Sequence, residues 1–308
     1  MKLSVVATLY CSAPYVAEFC DRASRQCRAL AGDDHEIVLV DDGSPDESLR
    51  LAIDASRRDP HVRVVELSRN FGHHKAMLAG LSESRGNLVF LVDSDLEEEP
   101  EWLAEFAAAM RRDGCDVVYG VQADRKGGWF ERWSGGLFYR VFHLLTGHKI
   151  PANMVTGRLM TRAYVDALLL HRERESDIGG LWHITGFDQR PCTVRKHCTS
   201  ATTYTIGRKV SLFVNSITSF SSAPLVAMFW LGAAVAALAA VAAAWTLASW
   251  LATSEPVSGW TSLVLSVWFF GGLNLACLGL VGIYVGKVFL EVKQRPNWIV
   301  KARHGSDG

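Results

Sequence analysis

The sequence predicts an α/β domain built on a mostly parallel sheet, followed by a two-helix transmembrane hairpin, and three observations carry that expectation. Short β-rich runs alternate with helical ones from Met1 to about Thr205. Polar clusters recur at the carboxyl ends of the β-rich runs. Leu225–Leu251 and Trp260–Val285 contain no charged residue at all.

The expected strands are Leu3–Thr8, Glu36–Val40, Val62–Leu67, Leu88–Val92 and Asp116–Tyr119. Between them Tyr15–Leu30, Asp46–Arg58, His73–Ser84 and Glu99–Arg112 read as helices. Strand and helix in alternation make a mostly parallel sheet with helices on both faces. Ligands of such sheets sit outside the carboxyl ends of the strands. Tyr10, Asp41-Asp42-Gly43-Ser44, Ser68-Arg69-Asn70 and Asp93-Ser94-Asp95 each follow a strand directly and so converge on one rim.

Beyond Val121 the pattern weakens. Gly127–Gly147 mixes Trp, Phe and Tyr with Arg and Glu and reads as an amphipathic helix at a membrane surface or a core-packing one, with ordinary packing favoured for most of it, whereas Lys209–Leu225 reads as an interfacial helix. Each uncharged run exceeds the ~20 residues that span a bilayer core. The connector Ala252–Gly259 has no Lys or Arg, while Arg208 and Lys209 precede the first run and Lys287, Lys293 and Arg295 follow the second. The positive-inside rule then puts both termini in the cytoplasm, and the short apolar start MKLSVVATLYC is no signal peptide. The chain divides as a cytosolic domain 1–205, a juxtamembrane segment 206–224, spans 225–251 and 260–285, and a cytosolic basic tail 286–308.

Lys+Arg and Asp+Glu number 32 each, which gives no reason to expect nucleic acid as a partner. The seven cysteines are odd in number and form no C-x-x-C pair, so they read as reduced thiols of a cytosolic domain.

The densest charge lies in LVFLVDSDLEEEPEWL, Leu88 to Leu103. Two aspartates one residue apart at a strand's end cannot both enter the core, because an unpaired buried carboxylate is very costly. Their hard oxygens suit Mg²⁺ or Mn²⁺, which keep several waters and take further oxygens from a substrate's phosphates. Pro100 fits a helix's first turn, and Glu98, Glu99 and Glu101 would favour its positive end.

Taken in order, VLVDDGSPDES, LSRNFGHHKAMLAGL, VFLVDSDLEEEPEWL and VGIYVGKVFLEVKQRPNWIV resemble glycosyltransferase family 2. Within it they are similar to the polyprenyl-phosphate glycosyltransferases, of the dolichyl-phosphate mannose synthase and bactoprenol glucosyltransferase type. The resemblance implies a GT-A fold, a nucleotide-diphosphate sugar donor, a divalent metal (Mg²⁺ or Mn²⁺) and a polyprenyl-phosphate acceptor at the membrane. It implies that Tyr10 and Asp42 hold nucleobase and ribose, with Asp41, Asn70, Ser94 and Glu97 in the same donor set. Asp93 and Asp95 would take the metal and diphosphate, and Arg125 and Arg132 the diphosphate alone. Asp42 could equally close an Asx turn.

Three departures stand out. The family's Tyr-Asn-Glu is Tyr10-Cys11-Ser12 here, and Asp-Leu-Gln-Asp-Pro-Pro-Glu is Asp95-Leu96-Glu97-Glu98-Glu99-Pro100-Glu101. Where relatives have Asp-Phe-Arg-Leu, with the Asp read as a base, this chain has Thr156-Gly157-Arg158-Leu159. A sugar hydroxyl needs its proton removed as it attacks. A phosphate monoester, with a second pKa of about 6, is already mostly dianionic at neutral pH. The substitution therefore agrees with a lipid-phosphate acceptor, leaving Asp177 and Asp188 as acids without a place.

Arg158, Arg195, Lys196, Arg208 and Lys209 are the candidate cations for the acceptor phosphate or the anionic membrane surface, with Arg158 counted as catalytic. His73, His74 and Lys75 open a helix that could face the donor phosphates. The expected activity is inverting transfer from a nucleotide sugar to polyprenyl phosphate at the cytosolic face of a bacterial inner membrane. Transfer to a lipid-linked glycan hydroxyl, or a silent membrane scaffold of the same fold, are the alternatives. The Q-x-x-R-W element of processive synthases is absent, since Gln189 is followed by Arg190-Pro191. Self-association is left open.

Overall fold

Four apolar runs form the centre of one sheet in this computed structural model, which describes residues 2–122, 154–171, 173, 178–196, 223–253 and 259–305. They are β1 (Leu3–Leu9), β2 (His35–Asp41), β3 (Val62–Leu67) and β4 (Leu88–Leu91), parallel neighbours in the order β4-β1-β2-β3. Alternate residues of a strand face opposite sides. Leu3, Val5, Ala7 and Leu9 pack with α1 (Val16–Ala31), α2 (Ser48–Arg58) and α4 (Trp102–Asp113), whereas Val6, Val38 and Val40 pack with α3 (His73–Glu83). Helices on both faces explain why these strands read as unbroken apolar runs. Each such Val or Leu taken out of water stabilises the fold by about 1.5–3 kcal/mol.

The sheet extends further than its predicted strands. β5 (Val117–Gln122), β6 (Met154–Thr161), α5 (Arg162–Leu168), α6 (Ile178–Ile184) and β7 (Gln189–Val194) follow, and the described strands lie in the order β7-β5-β6-β4-β1-β2-β3-β8. β6 runs antiparallel between β4 and β5, with Arg158 opposite both Leu91 and Tyr119. Gly157 and Arg158 interrupt its apolar pattern, which is why the sequence conceals it. β7 holds the edge, where Pro191 is tolerated.

The opposite edge is closed by β8 (Val300–His304), antiparallel to β3. The sequence reading left 286–308 as a basic tail, and here those basic residues are used. Lys301 pairs with Glu66, Arg303 Nη2 lies 2.6 Å from Glu83 Oε1, and His304 Nε2 lies 3.3 Å from Glu66 Oε2. Glu83 also faces Arg63, whose Nη1 donates to the buried Glu36 (2.8 Å), which in turn accepts from Ser4 Oγ (2.6 Å). The edge strand is thereby joined to a polar network that reaches β1.

The described residues divide into two compact units. One holds the sheet, α1 to α6 and the chain from Arg295 onward; the other holds α7 (Ala223–Thr253) and α8 (Trp260–Val292). Within α8, Ser266–Val292 is 27 residues long and apolar enough to cross a membrane. In α7 the shorter stretch Pro224–Ala239 is apolar. Both helices outrun their expected ends, α8 continuing through Lys287 and Glu291 to Val292. Gly127–Gly147 and most of Lys209–Leu225 lie outside the described residues.

Acid should loosen β8. The bonds from Lys301 and His304 overcome burial and hold the Glu66 carboxyl below its ordinary value of 4.5, and Arg303 does the same for Glu83. A carboxylate with a depressed folded pKa stabilises fully above the unfolded value and loses that contribution as pH falls through the folded one. Backbone amide exchange along Val300–His304, measured from pH 6 downward and corrected for intrinsic rates, should therefore rise below about pH 4.5 before that of β1.

Candidate active site

The carboxyl ends of β1 to β4 bring the predicted clusters to one rim. At β2, Asp42 is 2% exposed, and its carboxylate is met by two backbone amides: Phe71 N donates to Oδ1 (2.7 Å) and Gly72 N to Oδ2 (2.9 Å). Burial still pushes its pKa above the usual carboxylate value, with these two bonds opposing. The contacts bind the turn after β2 to the loop after β3. Gly43 makes their approach feasible: its φ is +65°, and a Cβ there would lie 2.6 Å from Asn70 N. Asp41, also 2% exposed, accepts from Ser44 N at 3.3 Å, so it shapes the turn from below. Asn70 is exposed, and Tyr10 presents a ring that is 54% exposed, as a stacking surface would be.

After β4 the side chains alternate. Asp93 and Asp95 are partly exposed, but Ser94 turns inward at 4% exposure, its hydroxyl donating to Thr8 O (2.7 Å) and meeting Ser12 Oγ (3.2 Å). The expectation that Ser94 contacts the donor is therefore corrected; it ties the loop to β1. Ser12 is the hub of that tie, its amide donating to Ser48 Oγ at 2.8 Å. Asp95 Oδ1 accepts from Glu97 N (3.0 Å), and burial together with the charge of Asp93 raises its pKa.

His73, the first residue of α3, bridges Thr8 Oγ1 (Nδ1, 3.1 Å) and Asp93 (Nε2 to Oδ1, 3.3 Å). Burial opposes its protonation, yet Asp93, Glu98 and Asp42 outweigh it and raise the imidazole's pKa.

Glu98 overturns a second expectation. Instead of capping a helix in solvent it is fully buried, its Oε1 accepting from Thr156 N (3.0 Å) and lying 3.7 Å from Lys196 Nζ. Burial and the nearby Asp93 push its pKa well up, against Lys196 and the amides of Thr156 and Gly157. Lys196 also reaches Glu97 Oε2 at 3.2 Å. The turn bonds Trp102 N to Glu99 O and Leu103 N to Pro100 O lead into α4, so Pro100 stands before the helix and not inside it. A Cβ on Gly157 would come within 3.1 Å of the Trp102 ring and 3.2 Å of Glu98 Oε2. Glycine there gives the buried glutamate its room.

Arg158 is the third correction. Its side chain is 0% exposed, with the guanidinium carbon 2.9 Å from the Trp182 ring centroid and Nε donating to Thr156 O (3.2 Å). Burial lowers its pKa to about 9, against Tyr164 and Glu98. On a strand with neighbours on both sides, it is a strut beneath the rim, closed to an acceptor phosphate. Arg195, in contrast, is exposed at the end of β7. Asp188 lies at that strand's other end, paired with Arg190 (2.8 Å), remote from the rim. Arg125, Arg132, Asp177, Arg208 and Lys209 fall outside the described residues.

The donors that could hold a divalent cation are Asp93 and Asp95. Asp93 Oδ1 is buried and, beyond the 3.3 Å approach of His73 Nε2, makes no well-formed hydrogen bond, which fits an oxygen able to take a cation. Among the described residues no three His, Cys, Asp or Glu side chains form a cage. Mg²⁺ does not require one, since it commonly takes one or two carboxylates and completes its shell with water and phosphate.

Glu98→Ala removes the acceptor of the Thr156 and Gly157 amides and should cost about 1–3 kcal/mol of stability, read as a lower denaturant midpoint. Glu98→Gln keeps an oxygen for Thr156 N and should recover most of it.

Comparison with known proteins agrees with this geometry. Residues 4–169 match the model of Glycosyl transferase family 2. A Mycobacterium tuberculosis (strain CDC 1551 / Oshkosh) chain that carries the glycosyltransferase name without a stated substrate is 48% identical over 307 residues, 100% of this chain and 90% of its own. An uncharacterized glycosyltransferase of Bacillus subtilis (strain 168), YkcC, is 32% identical over 89% of this chain and 85% of its own. The SfII prophage-derived bactoprenol glucosyl transferase of Shigella flexneri is 30% identical over 99% of both. With the sheet, the rim and these matches in agreement, the chain belongs to glycosyl transferase family 2.

Proposed function

We propose that this glycosyltransferase is metal-dependent and inverting, and that it moves a sugar from a nucleotide diphosphate onto polyprenyl phosphate at the cytosolic face of a membrane. The observation that carries the reading is the pairing of two acidic stations on one rim, Asp42 with its loop and Asp93 with Asp95. Similarity over almost the whole length to a bactoprenol glucosyl transferase supports the lipid acceptor.

In this reading Tyr10 stacks on the nucleobase and Asp42, locked by its two amides, receives the ribose. Asp93 and Asp95 would hold Mg²⁺ or Mn²⁺, which when bound would offset the charge of the diphosphate. Lys196, beside Glu97 and Glu98, supplies positive charge facing the same place, and His73, whose imidazole Asp93 biases toward the protonated form, hydrogen-bonds there beside it. The lipid phosphate's oxygen forms its bond to the anomeric carbon as the carbon–diphosphate oxygen bond breaks on the opposite face. Anomeric configuration inverts, and the nucleoside diphosphate leaves. Because that nucleophile is already an anion, no base is needed where Thr156 stands. With Arg158 closed off, Arg195 is an exposed cation among the described candidates for the acceptor, and Arg208 and Lys209 remain candidates from the sequence.

Sheet topology supports a hairpin of two spans. β8 pairs with β3, so the chain after α8 rejoins the sheet that precedes α7 in sequence, which supports a reading with both ends of the apolar region 223–292 on one side of a membrane. A chain that crosses through α8 must cross a second time to return, and α7 is the apolar helix available. The uncharged connector between basic flanks then sets the orientation.

Asp95→Asn should abolish transfer while leaving the thermal midpoint within a few degrees. Offered polyprenyl phosphate and the matching polyprenol, the native enzyme should glycosylate only the phosphate, read by mass of the glycolipid. Equal use of the alcohol would refute the phosphate nucleophile.

Ser258→Cys, in a background without other reactive thiols, should label from outside intact cells. Labelling only after the membrane is broken would reverse the proposed orientation.

A further inference from the structure

The loop Ser68–Gly72 supplies the two amides that fix Asp42, and its Arg69-Asn70 backbone lies against Gly43. That loop is held by the chain's own C-terminal segment. Ser68 N donates to Ile299 O (2.9 Å), Leu67 pairs with Val300 and Glu66 with Ala302, and the register shifts between Glu66 and Leu67. A shift of this kind redirects the strand, here as it enters the loop. Trp298 and Val300 pack against the core cluster that contains Val65, Leu67 and Ala76. Gly305, at φ +104°, lets the segment close on β3, where a Cβ would meet Val62 O at 2.6 Å. Lys301, Arg303 and His304 secure the outer side through Glu66 and Glu83.

We infer that residues 295–305 are a positioning element of the donor site, setting the Ser68–Gly72 loop and through it the Asp42 carboxylate. The inference rests on the reading of Asp42 as a nucleotide contact. These residues act through the loop, so their loss should weaken donor binding more than it slows the chemical step. Short side-chain anchors alone would give a different result, a general loss of stability spread over the sheet.

The test uses the full-length enzyme with Lys301→Glu and Arg303→Glu together, and separately Ala302→Pro, which removes a backbone donor from the strand paired with Glu66. Both variants should raise the KM for the nucleotide sugar about tenfold with kcat held within about threefold, the pattern of lost binding and not of lost chemistry. Binding of the nucleoside diphosphates UDP and GDP should weaken in parallel for whichever one the native enzyme takes. Amide exchange should quicken at Ser68–Gly72 while Phe19–Cys27 of α1 stays as in the native protein. The conservative change Lys301→Arg, which keeps a cation beside Glu66, should behave as native. Unchanged KM and unchanged exchange at the loop would overturn the inference, as would exchange that quickens everywhere with KM unaltered. If the native enzyme itself bound neither UDP nor GDP and used no nucleotide sugar, the donor reading would fall and this inference with it; native binding that the variants retain would remove this inference alone.

Discussion

A carboxylate taken out of water must be met by donors, and in this protein that requirement joins segments that are distant in sequence. Glu36, at 1% exposure, is met by Ser4, Arg63 and the Arg85 amide, which locks β1, β2, β3 and the turn before β4 together at the sheet's amino end. Asp42 is met by Phe71 and Gly72 and locks two loops at the carboxyl end. Glu98 is met by Thr156 and Lys196 and locks the acidic loop to β6 and to the end of β7. Leaving any of them unpaired would cost more than a typical surface contact returns. Each therefore acts as a constraint on backbone position, and the rim is the place where two of the three constraints meet.

What could be read from sequence follows from how locally each feature is encoded. β1 to β4 and their helices announce themselves because a strand buried on both faces is apolar throughout and the helices between carry one apolar face. The Asp42 and Asp93-Asp95 stations were legible for the same reason, since polar residues directly after such strands have to lie at their ends. β6 was hidden because its centre holds Gly157 and Arg158, residues chosen for neighbours contributed by α4 and α6. β8 was hidden because five residues with two cations do not look like a strand until Glu66 and Glu83 stand beside them. Side-chain direction was also beyond a motif: Ser94 and Glu98 lie among acids expected to face outward, and both turn in.

The departures from the family pattern make sense as sets. Ser12, in place of the family's glutamate, binds Tyr10 N, meets Ser94 and takes Ser48 as a partner for its own amide, so a short neutral side chain holds the turn that presents Tyr10. Gly157, in place of a phenylalanine, leaves space that Trp102 and the Glu98 carboxylate occupy. Thr156, in place of the family's acid, contributes its amide to that same carboxylate. An acid still lies in this region of the fold: the buried Glu98 accepts from the backbone amide of Thr156.

Chain order adds a consequence to the packing. Residues 2–122 contain both acidic stations and every strand on which they stand, yet β3 is not covered at its edge until residues 300–304 are made. Before then β3 is an open edge whose Glu66 lacks the Lys301 and His304 contacts, and open edges invite pairing with other chains. The sequence places the two long apolar helices between these parts, so the segment that closes the edge is synthesised only after both helices. Under the proposed lipid acceptor, that order makes completion of the β3 side of the rim follow synthesis of both apolar helices.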